Sequence, residues 1–571
     1  MAGKEPLLDV EHLAEPEPTR ITVAELVGTA LARLGVRQVF GVVGSGNYHL
    51  TSALVAAGAR FVAARHEGGA ATMADAYART SGEPAAVSLH QGCGLTNALT
   101  GIAEAAKSRT PLLVLAAEAT QPTSNFAVDQ TALATAVGAI SMRVDSAATC
   151  LDRVLEAVTA AVHERRTVLL NLPLDVQADP VPDSVLKQLS TLILPAAPTP
   201  PAPAAADCEA LAELLGSAGR PVLLAGRGAR HARAELLALA DACGALLATS
   251  AAAKGLFEGS DWSLDVSGGF ATPRAAELIR EADVLVAFGC ALNMWTTRHG
   301  SLLGPQTRVV QVDVEAGAIG RHQPVSLGIV ADSAAVAAAA TGLLAGGPRV
   351  SGYRSDQLWT ARAAENRWRD EPFADWSTSG ESARIDPRTL TTLLDDALPA
   401  ERVVAVDSGN FMGYPSMFLS VPDADGFCFT QSFQSIGLGL ATAIGAALAR
   451  PDRLAVAALG DGGALMAAAE LDTVRRLGLA MVVVVYNDSA YGAEVHHFQD
   501  EDPQGIVTFP ETDIAAIGAG YGFDAATVRR PSDLAGVHEW LAGARQRPLL
   551  VDAKIAAPQG SWWLEEAFRG H

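Results

Sequence analysis

Two aspartates, each placed just after an apolar run, offer the clearest chemistry in this chain. In LAVAALGDGGALMAAAELDTVRRLGLAMVVVVYNDSAYG, from Leu454 to Gly492, Gly460-Asp461-Gly462-Gly463 follows one strand-like run and Asn487-Asp488 closes another. Asp461 and Asp488 are hard oxygen ligands of the kind that hold Mg2+ or Ca2+ against a diphosphate. The glycines let the backbone approach a phosphate, and a helix starting after them presents oriented N–H groups. A Gly-Asp-Gly triplet alone is an ordinary strand-to-helix turn. The weight lies in its pairing with Asn487-Asp488, with 24 residues between Gly462 and Asn487.

A third acid, Glu67, stands in Arg65-His66-Glu67-Gly68-Gly69-Ala70, after the strand-like Phe61-Val62-Ala63 and before a small-residue helical stretch reaching Arg79. By itself it reads as a helix N-terminal acid stabilised by the macrodipole. In a cleft it would serve acid–base work. His90 lies in Leu89-His90-Gln91-Gly92-Cys93-Gly94 and Ser45 between Gly44 and Gly46, both after strand-like runs. Glu494 follows Asp488 by six residues, and His496 and His497 come next; neighbours on a helix point different ways. In Gln431–Ala447 (QSFQSIGLGLATAIGAA), Ile436 precedes Gly437 and Gly439, glycines that packing alone does not demand.

Short apolar strands must position these groups. They include Val39–Val43, Ala86–Leu89 and Leu112–Ala116, then Val222–Leu224, Val284–Phe288 and Val309–Val312, and finally Val403–Val406, Leu454–Leu459 and Met481–Tyr486. Longer amphipathic stretches separate them, which implies α/β architecture with parallel sheets covered on both faces. Asp461 and Asp488 then emerge at carboxyl ends of parallel strands, where open α/β sheets bind ligands. The Pro/Ala stretch Pro195–Ala206 and an irregular region from Gly346 to Pro387 divide the chain into three tandem domains, 19–182, 207–344 and 387–557. No short-period repeat suggests a solenoid.

With 571 residues, 49% hydrophobic and 18% charged, the chain can bury several cores and is no disordered binder. A net charge of −21 with no basic patch argues against nucleic acid and anionic membrane surfaces. The six cysteines stand alone, with no metal-ligand spacing, as expected in a reducing cytoplasm. The stretch Met1–Arg20 is acidic and proline-punctuated, unlike a signal peptide. Apolar runs are too short for a membrane span.

The Gly-Asp-Gly and Asn487-Asp488 pairing resembles the thiamine diphosphate signature, and the Arg-His-Glu segment resembles its counterpart in the acetolactate synthase and benzoylformate decarboxylase branches. The resemblance covers all three domains in order. It implies a pyrimidine-binding domain, a middle Rossmann-like domain and a diphosphate-binding domain. It implies thiamine diphosphate held by Gln434, Gly460, Asp461, Gly462, Gly463, Asp488 and Gly492, Ile436 wedged under the bent cofactor, and Mg2+ on Asp461, Asp488 and the Ala490 carbonyl. Asp488 stands where the family usually has asparagine. Glu67 would protonate the aminopyrimidine ring. His90 and Ser45 resemble benzoylformate decarboxylase residues, Glu494 matches in spacing an acid of pyruvate and indolepyruvate decarboxylases, and Gln121 and Asn125 in EATQPTSN resemble an acetolactate synthase loop facing the partner's cofactor. Asn125 could hydrogen-bond an oxyanion. The middle domain resembles one that holds FAD, yet Phe288–Trp295 (FGCALNMW) lacks the Arg and Asp pattern presented to a flavin, so FAD is not expected. The expected function is decarboxylation of a 2-oxo acid with carboligation, in a homodimer or homotetramer with sites between chains. The alternatives are plain 2-oxo acid decarboxylation and a catalytically silent cofactor-binding subunit, which the presence of Glu67 argues against. A dinucleotide oxidoreductase lacks its Gly-x-Gly-x-x-Gly fingerprint here.

Overall fold

The computed structural model of the chain describes residues 20–346, 352–355, 367–498 and 505–564. The acidic stretch before Arg20 and parts of the irregular region after Gly346 lie outside the described residues. Three six-stranded sheets follow one another, and every strand pairing in them is parallel. The first has the order β2-β1-β3-β4-β6-β5, with β1 Gln38–Gly41, β2 Arg60–Ala63, β3 Ala85–Leu89, β4 Leu112–Glu118, β5 Ile140–Arg143 and β6 Thr167–Pro173. The second is β12-β11-β10-β7-β8-β9, with β7 Pro221–Ala225, β8 Leu246–Thr249, β9 Ser263–Val266, β10 Val284–Phe288, β11 Arg308–Asp313 and β12 Leu327–Val330. The third is β14-β13-β15-β16-β18-β17, with β13 Arg402–Val406, β14 Phe427–Phe429, β15 Leu454–Gly460, β16 Met481–Asn487, β17 Asp524–Val528 and β18 Leu549–Lys554.

The valine-rich β16 is buried at every residue, because helices cover both faces of its sheet. Parallel strands joined by crossover helices bring all their carboxyl-terminal loops to one edge, so each sheet gathers its polar strand-end residues there. The core of the first unit takes in Val185 and Leu192 before the chain enters the Pro/Ala stretch, and the next helix starts at Ala205. Among the described residues, no helix is long and apolar enough to cross a membrane.

The first and third domains share a single core. Ala70, Met73 and Ala74 of the helix Glu67–Ser81 and Leu440, Ala441 and Ile444 of the helix Gly439–Ala449 belong to one buried cluster. Gly445 permits this approach: a Cβ there would lie 2.2 Å from the Met73 carbonyl oxygen and 2.9 Å from Ala76 Cβ. Polar ties flank the contact. Arg65 and His66 both donate backbone N–H groups to Glu470 Oε1 at 3.0 Å, and Arg65 pairs with Asp472. The middle domain joins through Arg230, which pairs with Asp425 and donates to the Arg79 carbonyl, and through Arg227, which donates to the Ser108 carbonyl.

Gly445→Val should therefore push the two helices apart and destabilise the protein by about 1–3 kcal/mol, the usual cost of overpacking. Chemical denaturation checks this, and an unchanged midpoint would contradict the close helix approach.

Candidate active site

The carboxyl ends of the adjacent strands β13, β15 and β16 open into one cleft, lined by Ser408–Phe411, Ile436, Gly460–Gly463, Tyr486, Asp488 and Ala490–Glu494. Asp461 opens the helix Asp461–Met466 and Asp488 lies one residue past β16. Their side chains hydrogen-bond each other. Burial, and then the neighbouring Asp461, push the Asp488 carboxyl far above the usual carboxylate range; burial also raises Asp461. Such a pair shares a proton unless a cation comes between its members. The Ala490 N–H donates to Asp488 Oδ1 at 3.2 Å, and Ala490 bridges to Thr508, which fixes the turn. Gly492 is required by proximity, since a Cβ there would lie 2.4 Å from Asp488 Oδ2. At Gly462 a Cβ would lie 2.6 Å from the Tyr491 ring. Two carboxylates, Asp461 buried and Asp488 half-buried, have no basic side chain paired with them among the described residues and form a donor pair that suits Mg2+, and the glycine-lined turn leaves room for a phosphate. The helix after the turn is only six residues long and breaks at Ala467, shorter than the sequence suggests.

Asn487 does not face the cleft. Its Nδ2 donates to Asp552 Oδ1 at 2.9 Å and its Oδ1 accepts the Ser489 N–H at 3.1 Å, shaping the turn in which Ser489 takes a φ of 62°.

Asp407, which sequence reasoning missed, holds the cleft floor. It is fully buried just past β13 and accepts the N–H groups of Ser408 at 2.9 Å, Gly437 at 3.0 Å and Leu438 at 3.2 Å. A Cβ on Gly463 would lie 2.2 Å from its Oδ2, and one on Gly439 2.5 Å from its Cβ. The glycines around Ile436 thus answer to one carboxylate. Burial pushes Asp407 up to about 6, against the pull of those N–H groups. An aspartate directly after a buried strand was the available signal; its partners 30 residues on were not.

A second cluster sits at the carboxyl ends of β1, β2, β3 and β4. Glu67 begins its helix behind the N-cap His66, whose Nδ1 accepts the Gly68 N–H at 3.0 Å. Asn97, also unforeseen, donates to Glu67 Oε2 at 3.0 Å. A Cβ on Gly94 would lie 3.6 Å from Glu67 Oε1 and 3.2 Å from His90 Cβ, so Glu67 and His90 flank this glycine. The His90 ring lies against Gly44 and edge-on to Phe126, with ring centroids 5.1 Å apart. Its Nδ1 is 3.1 Å from the Gln91 carbonyl oxygen, which as an acceptor assigns a proton to Nδ1. Ser45 is exposed at the tip of a turn pinned by Asn47, whose Oδ1 accepts the Gly44 N–H at 2.8 Å. Gln121 and Asn125 are exposed in the loop that delivers Phe126.

The candidates therefore fall into two groups. Ile436, Gly460, Asp461, Gly462, Gly463, Asp488, Ala490, Gly492 and Glu494 meet in the cleft, whereas Glu67, His90, Ser45 and Asn125 belong to the first domain, and no cleft-lining residue comes from that domain. Gln434 lies outside the cleft lining, exposed, with a φ of 61°. His496 lies outside the cleft lining as well, and burial lowers its pKa, while His497 meets Phe498 edge-on.

A parallel α/β domain with a pair of hard-oxygen donors at its strand ends, preceded by a second such domain offering a held carboxylate, fits an enzyme built around a diphosphate-bearing cofactor. Family models for thiamine pyrophosphate enzymes match the chain three times, as the N-terminal TPP binding domain over 21–139, the central domain over 208–340 and the C-terminal TPP binding domain over 407–553. The chain belongs to the thiamine pyrophosphate enzyme family, on the acetolactate synthase and decarboxylase side. It is 29% identical to a sulfoacetaldehyde acetyltransferase of Rhodobacter capsulatus, covering 90% of each chain. Two provisionally named relatives are a 2-ketoarginine decarboxylase of Pseudomonas aeruginosa, 29% identical over 91% of each chain, and an acetolactate synthase large subunit of Mycobacterium tuberculosis, 30% identical over 92% of this chain and 98% of the relative.

The Asp407 carboxyl gives a test of the cleft floor. Because its pKa is raised on folding, the stability it contributes is whole below the unfolded value of 3.8 and is lost as pH rises through about 6. Asp407→Asn removes that loss. Wild type should fall relative to the variant by up to about 3 kcal/mol between about pH 4 and 7, measured by denaturation of cofactor-free protein. A difference that does not change with pH would contradict the assignment.

Proposed function

We propose that the chain is a thiamine diphosphate- and Mg2+-dependent enzyme that decarboxylates a 2-oxo acid and joins the remaining acyl unit to a second carbonyl compound. We further propose a homodimer or homotetramer whose sites are shared between chains. When bound, the cofactor supplies a carbon nucleophile for the keto group and an electron sink for loss of CO2. Asp461, Asp488 and the Ala490 carbonyl would hold Mg2+, and Gly460, Gly462, Gly463 and Gly492 would admit the diphosphate. Ile436 lines the cleft and would pack against the cofactor's rings. Glu67, steadied by Asn97, would give and take a proton at the aminopyrimidine ring. Sharing is supported by the all-third-domain cleft lining and by exposed apolar side chains on both clusters, including Val43, Tyr48, Phe126, Phe433 and Met466. A second copy would cover that surface and bring its Glu67 to the cleft.

One observation carries the choice of ligation. The His90 Nδ1 faces the Gln91 carbonyl at 3.1 Å, so that nitrogen's proton is committed to the backbone and is not offered to the decarboxylated carbon. Nε2 is left to hydrogen-bond the substrate. Glu494 lines the cleft and supports the second reading, plain decarboxylation, because an acid there could supply that proton.

Incubation with pyruvate and with aryl 2-oxo acids, followed by product analysis, decides between them. The ligated product should dominate, and His90→Asn should raise KM with the ratio of aldehyde to ligated product unchanged. Free aldehyde as the main product, or a ratio that shifts in His90→Asn, would overturn the ligation reading. Glu67→Gln should retain the cofactor while turnover falls by about 10²–10⁴, whereas Asp461→Ala should lose Mg2+-dependent cofactor binding in calorimetry. Normal turnover in Glu67→Gln contradicts its role.

A further inference from the structure

The loop that carries Ile436 is held at both ends by buried carboxylates, and one of them belongs to the first domain. At the far end, Asp407 binds the N–H groups of Gly437 and Leu438. At the near end, Glu104 Oε1 accepts the Ser432 N–H at 3.1 Å and Oε2 the Phe433 N–H at 2.6 Å. Ser108 adds a hydroxyl bridge, 3.2 Å from Glu104 Oε1 and 2.6 Å from Ser432 Oγ.

Glu104 is itself fixed from behind. Arg79 reaches it at 2.7 Å, contacts both oxygens of Asp75 at 2.9 and 2.6 Å, and donates to the Phe429 carbonyl at 3.2 Å. Asp75 and Glu104 are fully buried. One guanidinium thus binds both carboxylates, and the Glu104 oxygens are shared between it and the loop's two N–H groups. A buried carboxylate holds such donors strongly, because losing them leaves polar oxygens unsatisfied in a dry interior. Buried ionic triads are weak sources of stability, which directs attention to what this one specifies.

We propose that Glu104 is a positioning residue that sets Ile436, and with it the cofactor geometry, in the cleft of its own chain. On the shared-site reading above, on which this inference rests, the first domain then has two separable duties: Glu104 shapes the cleft of its own chain, while Glu67 of the same domain serves the partner's.

Kinetics supply the first test. In folded Glu104→Gln, kcat should fall about 10- to 100-fold and the half-saturating cofactor concentration should rise, with KM for the 2-oxo acid little changed, as expected for displaced rather than lost reacting groups. Ser108→Ala, which removes the hydroxyl bridge and leaves the charges, should show the same split on a smaller scale, so the test survives if Glu104→Gln fails to fold. A lower melting temperature with unchanged kcat and cofactor affinity in both variants would overturn the proposal.

Hybrid dimers isolated with two affinity tags supply the second. Pairing a Glu104→Gln chain with a Glu67→Gln chain should restore one intact site and about half of wild-type activity, whereas pairing Glu104→Gln with Asp461→Ala should restore none. The opposite pattern would place the effect of Glu104 on the first-domain cluster and overturn the proposal. A control pairing of Glu67→Gln with Asp461→Ala should also recover about half of wild-type activity. Its failure would overturn the shared-site reading instead, leaving Glu104 to be decided by the kinetic split.

Discussion

Buried negative charge organises this molecule's third domain. A carboxylate removed from water must find N–H donors or a cation, and whichever it finds becomes fixed in place. Asp407 finds backbone N–H groups and thereby shapes the loop around Ile436. Among the described residues Asp461 and Asp488 meet each other and a few main-chain donors, so the same physics that makes Asp407 a structural clamp leaves this pair suited to a cation. The difference lies in surroundings. Gly437, Gly439 and Gly463 close in on Asp407, while Gly462 and Gly492 leave the other two aspartates open to the cleft.

The fold places these charges economically. Parallel strands send all their carboxyl ends to one edge, so three adjacent strands suffice to line the cleft, and four strands of the first sheet gather Glu67, His90, Ser45 and the Phe126 loop. The helix Glu67–Ser81 has a double use. Its first residue offers a carboxylate to solvent-accessible space, and its middle packs against the helix Gly439–Ala449 so closely that Gly445 has no room for a side chain. Domain packing and the position of the acid are consequently linked through one rigid element.

Much of this was legible in the sequence where chemistry and local pattern coincide. Apolar runs separated by amphipathic stretches gave the three parallel sheets, and aspartates after β15 and β16 marked the cleft. What stayed hidden depends on distant partners. Asp407 and Glu104 look like ordinary acids until the loop at 432–438 folds onto them, and Asn97 acquires meaning only beside Glu67, 30 residues away. Asn487 marks the motif by its spacing, and its side chain turns to Asp552 and shapes the turn. His496 and Gln434 are neighbours in sequence to cleft residues but lie outside the cleft lining, one on a short helix and the other at a left-handed backbone position.

The central claim is that the Asp461–Asp488 pair awaits a divalent cation and is completed by the first domain of another chain. A crystal structure with thiamine diphosphate and Mn2+, located by anomalous scattering, tests both halves at once. The account predicts one Mn2+ bound to Asp461, Asp488 and the Ala490 carbonyl, with the cofactor's ring nitrogen against Glu67 of a second copy. Metal bound elsewhere, or a ring nitrogen met by Glu67 of the same chain, would contradict it.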